Sequence, residues 1–143
     1  MPVGVQSFEI MRTSPYVYVD KTHFIPKLEK LSIAYFLARP RRFGKSLFIS
    51  TLQAYFEGRK ELFKGLAIEK FKAETGSEWQ SYPVLKLDLN AKKYTKEEHL
   101  DEILNEHIDE WKRTYGIECK YKAPDSAFSY IIKSLYEKFN QRV

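Results

Sequence analysis

The eight residues Arg39-Pro40-Arg41-Arg42-Phe43-Gly44-Lys45-Ser46 stand between an apolar run and an amphipathic one, and no other feature of the 143-residue sequence limits the fold as much. Before them, Ile33-Ala34-Tyr35-Phe36-Leu37-Ala38 is rich in residues that suit a buried strand. After them, from Lys45 to Phe56, the residues Leu47, Phe48, Leu52, Tyr55 and Phe56 recur at helical spacing, and Gly58 supplies a stop. The order strand, loop, helix sets Gly44-Lys45-Ser46 at a helix N-terminus, where backbone N–H groups converge and negative charge is favoured.

A loop of the form G-x-x-x-x-G-K-[ST] binds a nucleoside triphosphate because its lysine reaches the β and γ phosphates and its hydroxyl holds Mg²⁺. Gly44 lets the backbone approach closely, Lys45 is the candidate catalytic side chain, and Ser46 is the candidate metal ligand. Arg41, Arg42, Phe43 and Leu47 complete the candidate nucleotide-binding set. Arg39 occupies the position of the first glycine, so the match is to the second half of the pattern (Walker A). Arg41 and Arg42 can clamp phosphates, contact the nucleotide of a neighbouring subunit, or pair with acidic residues nearby. Pro40 offers no N–H, which predicts weak binding. The other reading of the stretch is a basic surface turn that caps a helix.

Five blocks occur in one order: Tyr18-Val19-Asp20-Lys21-Thr22, then Arg39 through Leu47, then Tyr55-Phe56-Glu57-Gly58, then Leu62-Phe63-Lys64-Gly65-Leu66-Ala67-Ile68, then Tyr82-Pro83-Val84. In this the sequence resembles the bacterial AAA-ATPase-like family, over nearly its whole length. The resemblance implies an N-terminal P-loop ATPase domain with an arginine-rich variant loop, usually followed by a nuclease-like domain of the PD-(D/E)XK type. It also implies an acidic (Walker B) strand beyond Val143. Residues 1–143 are accordingly expected to be the N-terminal portion of a P-loop AAA-ATPase-like domain, truncated before that strand. The expected fold class is α/β, an AAA/RecA-like parallel sheet with flanking helices.

Composition agrees with a folded domain: 43% apolar and 15% aromatic residues suffice for a core. The net charge of +5 favours anionic partners, but the basic residues are dispersed. Cys119 is the sole cysteine, which excludes an internal disulfide and fits a reducing cytoplasm. The N-terminus lacks a signal-peptide pattern and no apolar run reaches membrane-span length, so a soluble cytoplasmic protein is expected.

The remaining segments read mainly as packing. Phe8-Glu9-Ile10-Met11 forms a helical turn broken at Ser14-Pro15. Asp20 stands as a helix cap before Phe24, Ile25, Leu28 and Leu31, although its block can also lie near the nucleotide base. Leu62, Phe63, Leu66 and Ile68 turn inward around Gly65. Residues 84–89 alternate as a strand with Pro83 at its entrance, and Asp88 at its end is a minor candidate for Mg²⁺. Thr95-Lys96-Glu97-Glu98 forms a capping box for a helix to about Tyr115, with Leu100, Ile103, Leu104, His107, Ile108 and Trp111 as its apolar stripe. His107 is read as a core residue rather than a ligand. Pro124-Asp125-Ser126 opens a last helix with Phe128, Ile131, Ile132, Leu135 and Phe139 inward, ended by Asn140.

The function expected is ATP binding with Mg²⁺, as part of an ATPase whose hydrolysis belongs to the full-length protein and not to this chain alone. Two alternatives stand: a basic nucleic-acid-binding module, and a nucleotide-binding scaffold without hydrolysis. Unpaired strand edges also predict self-association.

Overall fold

Phe63 shows how the first half of the chain folds: its side chain is fully buried, with the rings of Phe8, Trp79 and Tyr55 at 4.9, 5.3 and 5.9 Å. Burying each such side chain contributes about 1.5–3 kcal/mol. The computed structural model describes residues 4–31, 34–89 and 98–143. The chain divides into two units, Met1–Ser81 and Tyr82–Val143.

In the first unit, α1 (Phe8–Thr13) starts where Ser7 Oγ accepts the Ile10 N–H, and it ends at the expected Ser14-Pro15 break. A 3₁₀ turn, Thr22–Phe24, leads into α2 (Ile25–Leu31). The helix α3 spans Lys45–Phe56, as its spacing predicts, and Gly58 follows with φ +74°. The left-handed conformation of Gly58 favours glycine, and a Cβ there would meet the Ser81 Cβ at 3.1 Å, so the neighbour would have to give by a few tenths of an ångström. A second 3₁₀ turn, Lys60–Phe63, precedes α4 (Ala67–Thr75), which ends on left-handed Gly76. Leu62, Phe63, Leu66 and Ile68 are buried, as their pattern implies.

Asp20 and Thr22 fasten this unit across the sequence. Asp20 Oδ1 accepts from the Thr22 N–H and hydroxyl at 2.8 and 2.7 Å, while Oδ2 accepts from the Ala67 N–H at 2.7 Å. The fully buried Thr22 Oγ1 in turn accepts from the Ile68 N–H at 3.1 Å. The Leu66 side chain makes no cap for α4, so a carboxylate and a hydroxyl from far upstream take its orphan donors.

In the second unit, α5 (Glu98–Tyr115) packs on α6 (Pro124–Phe139) through Ile108, Trp111, Ala127, Ile131 and Leu135. Asn140 ends α6 in the left-handed region at φ +50°. The inward face of α6 is Ala127, Ile131 and Leu135 at i, i+4, i+8, whereas Phe128, Ile132 and Phe139 are 37–43% exposed. The capping box at residues 95–98 lies outside the described side chains.

The α/β expectation is not met. Among the described residues there is no strand, and the elements are helices and 3₁₀ turns, so the parallel sheet of a P-loop fold is absent. Residues 34–40 and 82–88 carry no regular secondary structure, and neither forms a ladder. A strand exists only where a neighbour takes its N–H and C=O groups. Within residues 84–88, helix side chains do that instead. The Tyr115 hydroxyl accepts the Val84 N–H at 2.8 Å and donates to the Val84 carbonyl at 2.9 Å. His107 Nε2 lies 3.3 Å from the Asp88 N and 3.1 Å from its O, and bonds one or the other according to its tautomer. In the first unit the supposed buried strand is open to solvent: Phe36 is 93% exposed and Tyr35 51%. Ile33, which opens that run, lies outside the described residues.

Candidate functional site

Gly44 sits at φ +73°, immediately before α3, in a conformation that favours glycine. No heavy atom lies within 4 Å of where its Cβ would be, so the space over the loop is open. No side chain caps α3, and its first turn carries no acidic residue. The first bond of the helical ladder runs from Phe48 N–H to the Gly44 carbonyl at 3.0 Å. The N–H groups of Lys45, Ser46 and Leu47 therefore precede the ladder, the arrangement that accepts an anion.

Lys45 is half-buried and folds back over the loop, donating from Nζ to the Arg39 carbonyl at 2.7 Å. That bond closes the loop from its first residue to its last basic one. Arg39 in turn lays its guanidinium over the Phe48 ring, 5.9 Å from the centroid. Arg41 and Arg42 are exposed, and Arg42 has φ +66°, uncommon for a residue with a Cβ. Ser46 is exposed, Leu47 is half-buried, and Phe43 is 64% exposed. The loop thus brings Arg39, Gly44, Lys45 and Ser46 together at the start of α3 and leaves Arg41, Arg42 and Phe43 largely exposed.

Beside the loop is a cleft of about 160 Å³, with Tyr18, Lys21, Arg39, Phe43, Leu47 and Phe48 among its lining. Tyr18 and Lys21 come from the Tyr-Val-Asp-Lys-Thr block, which places that block at the loop. Burial raises the Tyr18 hydroxyl above its ordinary pKa, partly offset by Thr51, whose Oγ1 is 3.4 Å away. Burial also pushes the Asp20 carboxyl up, but hydrogen bonds from the Thr22 hydroxyl and the Ala67 and Thr22 N–H groups outweigh it and leave the group below its ordinary value. Asp20 is thus engaged on both oxygens in holding α4. Sequence reasoning identified Asp20 as a local cap; its bond to Ala67, 47 residues on, has no local signature.

Asp88 belongs to the second unit, its side chain exposed and its backbone beside His107. His107 is half-buried and stacked on Trp111 at 5.9 Å, consistent with a packing role. Among the described residues, no three His, Cys, Asp or Glu side chains gather as a metal site.

The sequence matches the family described as predicted AAA-ATPase over residues 2–143. The chain belongs to the AAA-ATPase-like family. It is also similar to an uncharacterised protein encoded in the vnfD 5′ region of Azotobacter chroococcum mcd 1, with 32% identity over 145 residues that cover 100% of this chain. The chain spans 27% of that relative's length. No solved structure matches it. Membership supports the general ATPase-like theme. Among the described residues of this family member, no helix is long and apolar enough to cross a membrane.

Proposed function

We propose that this chain binds a nucleoside triphosphate, with ATP the type case, through the loop at the start of α3. The observation that supports the reading is the uncapped N-terminus of α3 behind left-handed Gly44, with the Lys45 ammonium at the same place. The residues fit a polyphosphate: Lys45 would meet β and γ phosphate charge, and the N–H groups of Gly44, Lys45 and Ser46 would donate to phosphate oxygens. Ser46 and Leu47 begin the helix whose dipole favours the anion, and Phe43 with Tyr18 walls the cleft next to it. Ser46 would supply a hydroxyl to Mg²⁺, which lends charge neutralisation to the bound phosphates. Arg41 and Arg42, exposed on the loop, would draw in the anion.

The relative is much longer than this chain, so hydrolysis is proposed for the whole protein, with an acidic residue outside residues 1–143 orienting metal and water. Titration of the purified chain with ATP and Mg²⁺ tests the binding, and Lys45→Ala is expected to lower affinity about 100-fold. A folded Lys45→Ala protein that binds ATP as tightly as the wild type would sink the proposal. Sustained phosphate release by the chain alone, lost in Lys45→Ala, would contradict the assignment of turnover to the longer protein.

A second reading draws on the exposed Arg41, Arg42 and Phe43, which suit a nucleic-acid backbone with a stacked base. Salt separates the two. Nucleic-acid binding falls steeply with ionic strength and responds to any of the arginines, whereas triphosphate binding depends on Lys45.

A further inference from the structure

The face between α5 and α6 carries a cavity of about 440 Å³, walled by Leu87, Leu104, Ile108, Trp111 and Phe128. Asp101 on α5 and Asp125 at the start of α6 stand at it, and both residues are exposed. Neither carboxylate forms an ion pair among the described residues; Asp125 accepts the Ser126 N–H on one oxygen, at 2.7 Å. An apolar trough with two available carboxylates selects an apolar side chain attached to basic ones.

The chain itself displays such a segment. Tyr35 and Phe36 are 51% and 93% exposed, and the exposed Arg41 and Arg42 follow in the same loop-like stretch. Two copies of a molecule with net charge +5 repel at long range, so a contact that brings opposite charges together locally is favoured. The trough and the segment do so, apolar surface against apolar surface and arginine against aspartate.

We propose that the α5–α6 trough is a self-association site that receives Phe36 and the following arginines of a second copy. If each copy gives its segment and offers its trough, two reciprocal contacts close a two-fold dimer. The proposal shares Arg41 and Arg42 with the nucleotide reading but needs neither Lys45 nor Ser46, so the outcome of Lys45→Ala on nucleotide binding leaves it standing.

Sedimentation equilibrium of the full chain, over a range of concentrations at low salt, tests it. Two charge-reversed proteins are compared: Asp101→Arg with Asp125→Arg, and Arg41→Asp with Arg42→Asp, each checked for wild-type circular dichroism. The wild type is expected to dimerise, and each variant alone to associate at least about tenfold more weakly, since like charges now meet in both contacts. An equal mixture of the two variants is expected to recover the dimer, because every contact in the mixed pair is again arginine to aspartate. A wild type that stays monomeric throughout, or variants that associate as it does, overturns the proposal. Recovery that fails in the mixture while both variants remain folded does so too.

Discussion

Residues 84–88 in the second unit and residues 35–39 in the first are both runs without regular secondary structure, but they are fastened by different kinds of group. Tyr115 and His107 reach from α5 to the backbone of Val84 and Asp88. In the first unit the Tyr35 hydroxyl donates to the Leu28 carbonyl at 2.7 Å, and the Arg39 carbonyl is taken by Lys45. The fastener at Arg39 is thus the cation that the proposed phosphate would recruit, whereas no ligand is proposed for Tyr115 or His107. One run is a structural strap; the other is tied by a group with a competing partner. Under the proposed binding mode, phosphate binding and release of the Arg39 carbonyl would be linked.

Lys45→Ala breaks the comparison most strongly. It removes both the tether and the proposed phosphate cation, so nucleotide affinity should fall about 100-fold while stability changes by less than about 1 kcal/mol, the net worth of one ordinary hydrogen bond. Parallel nucleotide titration and denaturant melts would show the two effects dissociate. Equal losses in both would mean that Lys45 is chiefly structural.

Next in size is Asp20→Ala, which strips hydrogen bonds from Thr22 and leaves the N–H of Ala67 without its acceptor. A cost of about 2 kcal/mol is expected, with amide exchange faster in α4 and unchanged in α6. The pH dependence follows from the same carboxylate. Its folded pKa lies below the unfolded one, so its contribution is complete above about pH 4 and is lost as pH falls through the lower, folded value. An acid melt of Asp20→Asn that retains the wild-type slope below pH 4 would show that another group controls that window.

Tyr115→Phe tests the strap. The ring keeps its edge contact with Phe139 at 6.2 Å, but the Val84 N–H and carbonyl both lose their partner. A loss of about 1–2 kcal/mol and faster exchange at the Val84 amide are expected. Unchanged exchange at Val84 would mean that water replaces the hydroxyl without cost.

The helices were legible because their determinants are local: the spacing of Leu47, Phe48, Leu52 and Tyr55, the stop at Gly58, Pro124 at the start of α6 and Asn140 at its end. The turn into α3 was legible for the same reason, since Gly44 immediately precedes the first helical residue. What sequence pattern could not supply was partnership. An apolar run such as residues 33–38 has the composition of a strand whether or not a neighbour is present, and Phe36 ends up in solvent. Tyr115 closed a helix and His107 lay on its stripe; nothing in their spacing showed that their polar ends would take backbone groups of residues 84–88. Asp20 likewise had one partner two residues away, which was readable, and another 47 away, which was not.

Phe36→Ser is expected to have the smallest effect on the folded monomer, and it sharpens the contrast between the two runs. A side chain that is 93% exposed removes almost no further apolar surface from water when the chain folds, so its truncation should change stability by no more than about 0.5 kcal/mol. Phe63→Ala, at a fully buried site in the same unit, should by the same logic cost about 3–5 kcal/mol. Denaturant melts at concentrations well below those of association isolate this term, and sedimentation at high concentration then reads the other one, the loss of the second copy. If Phe36→Ser lost more than about 1 kcal/mol in the dilute melt, residues 34–38 would be packed within a single molecule, and the run would be a second strap rather than an exposed segment.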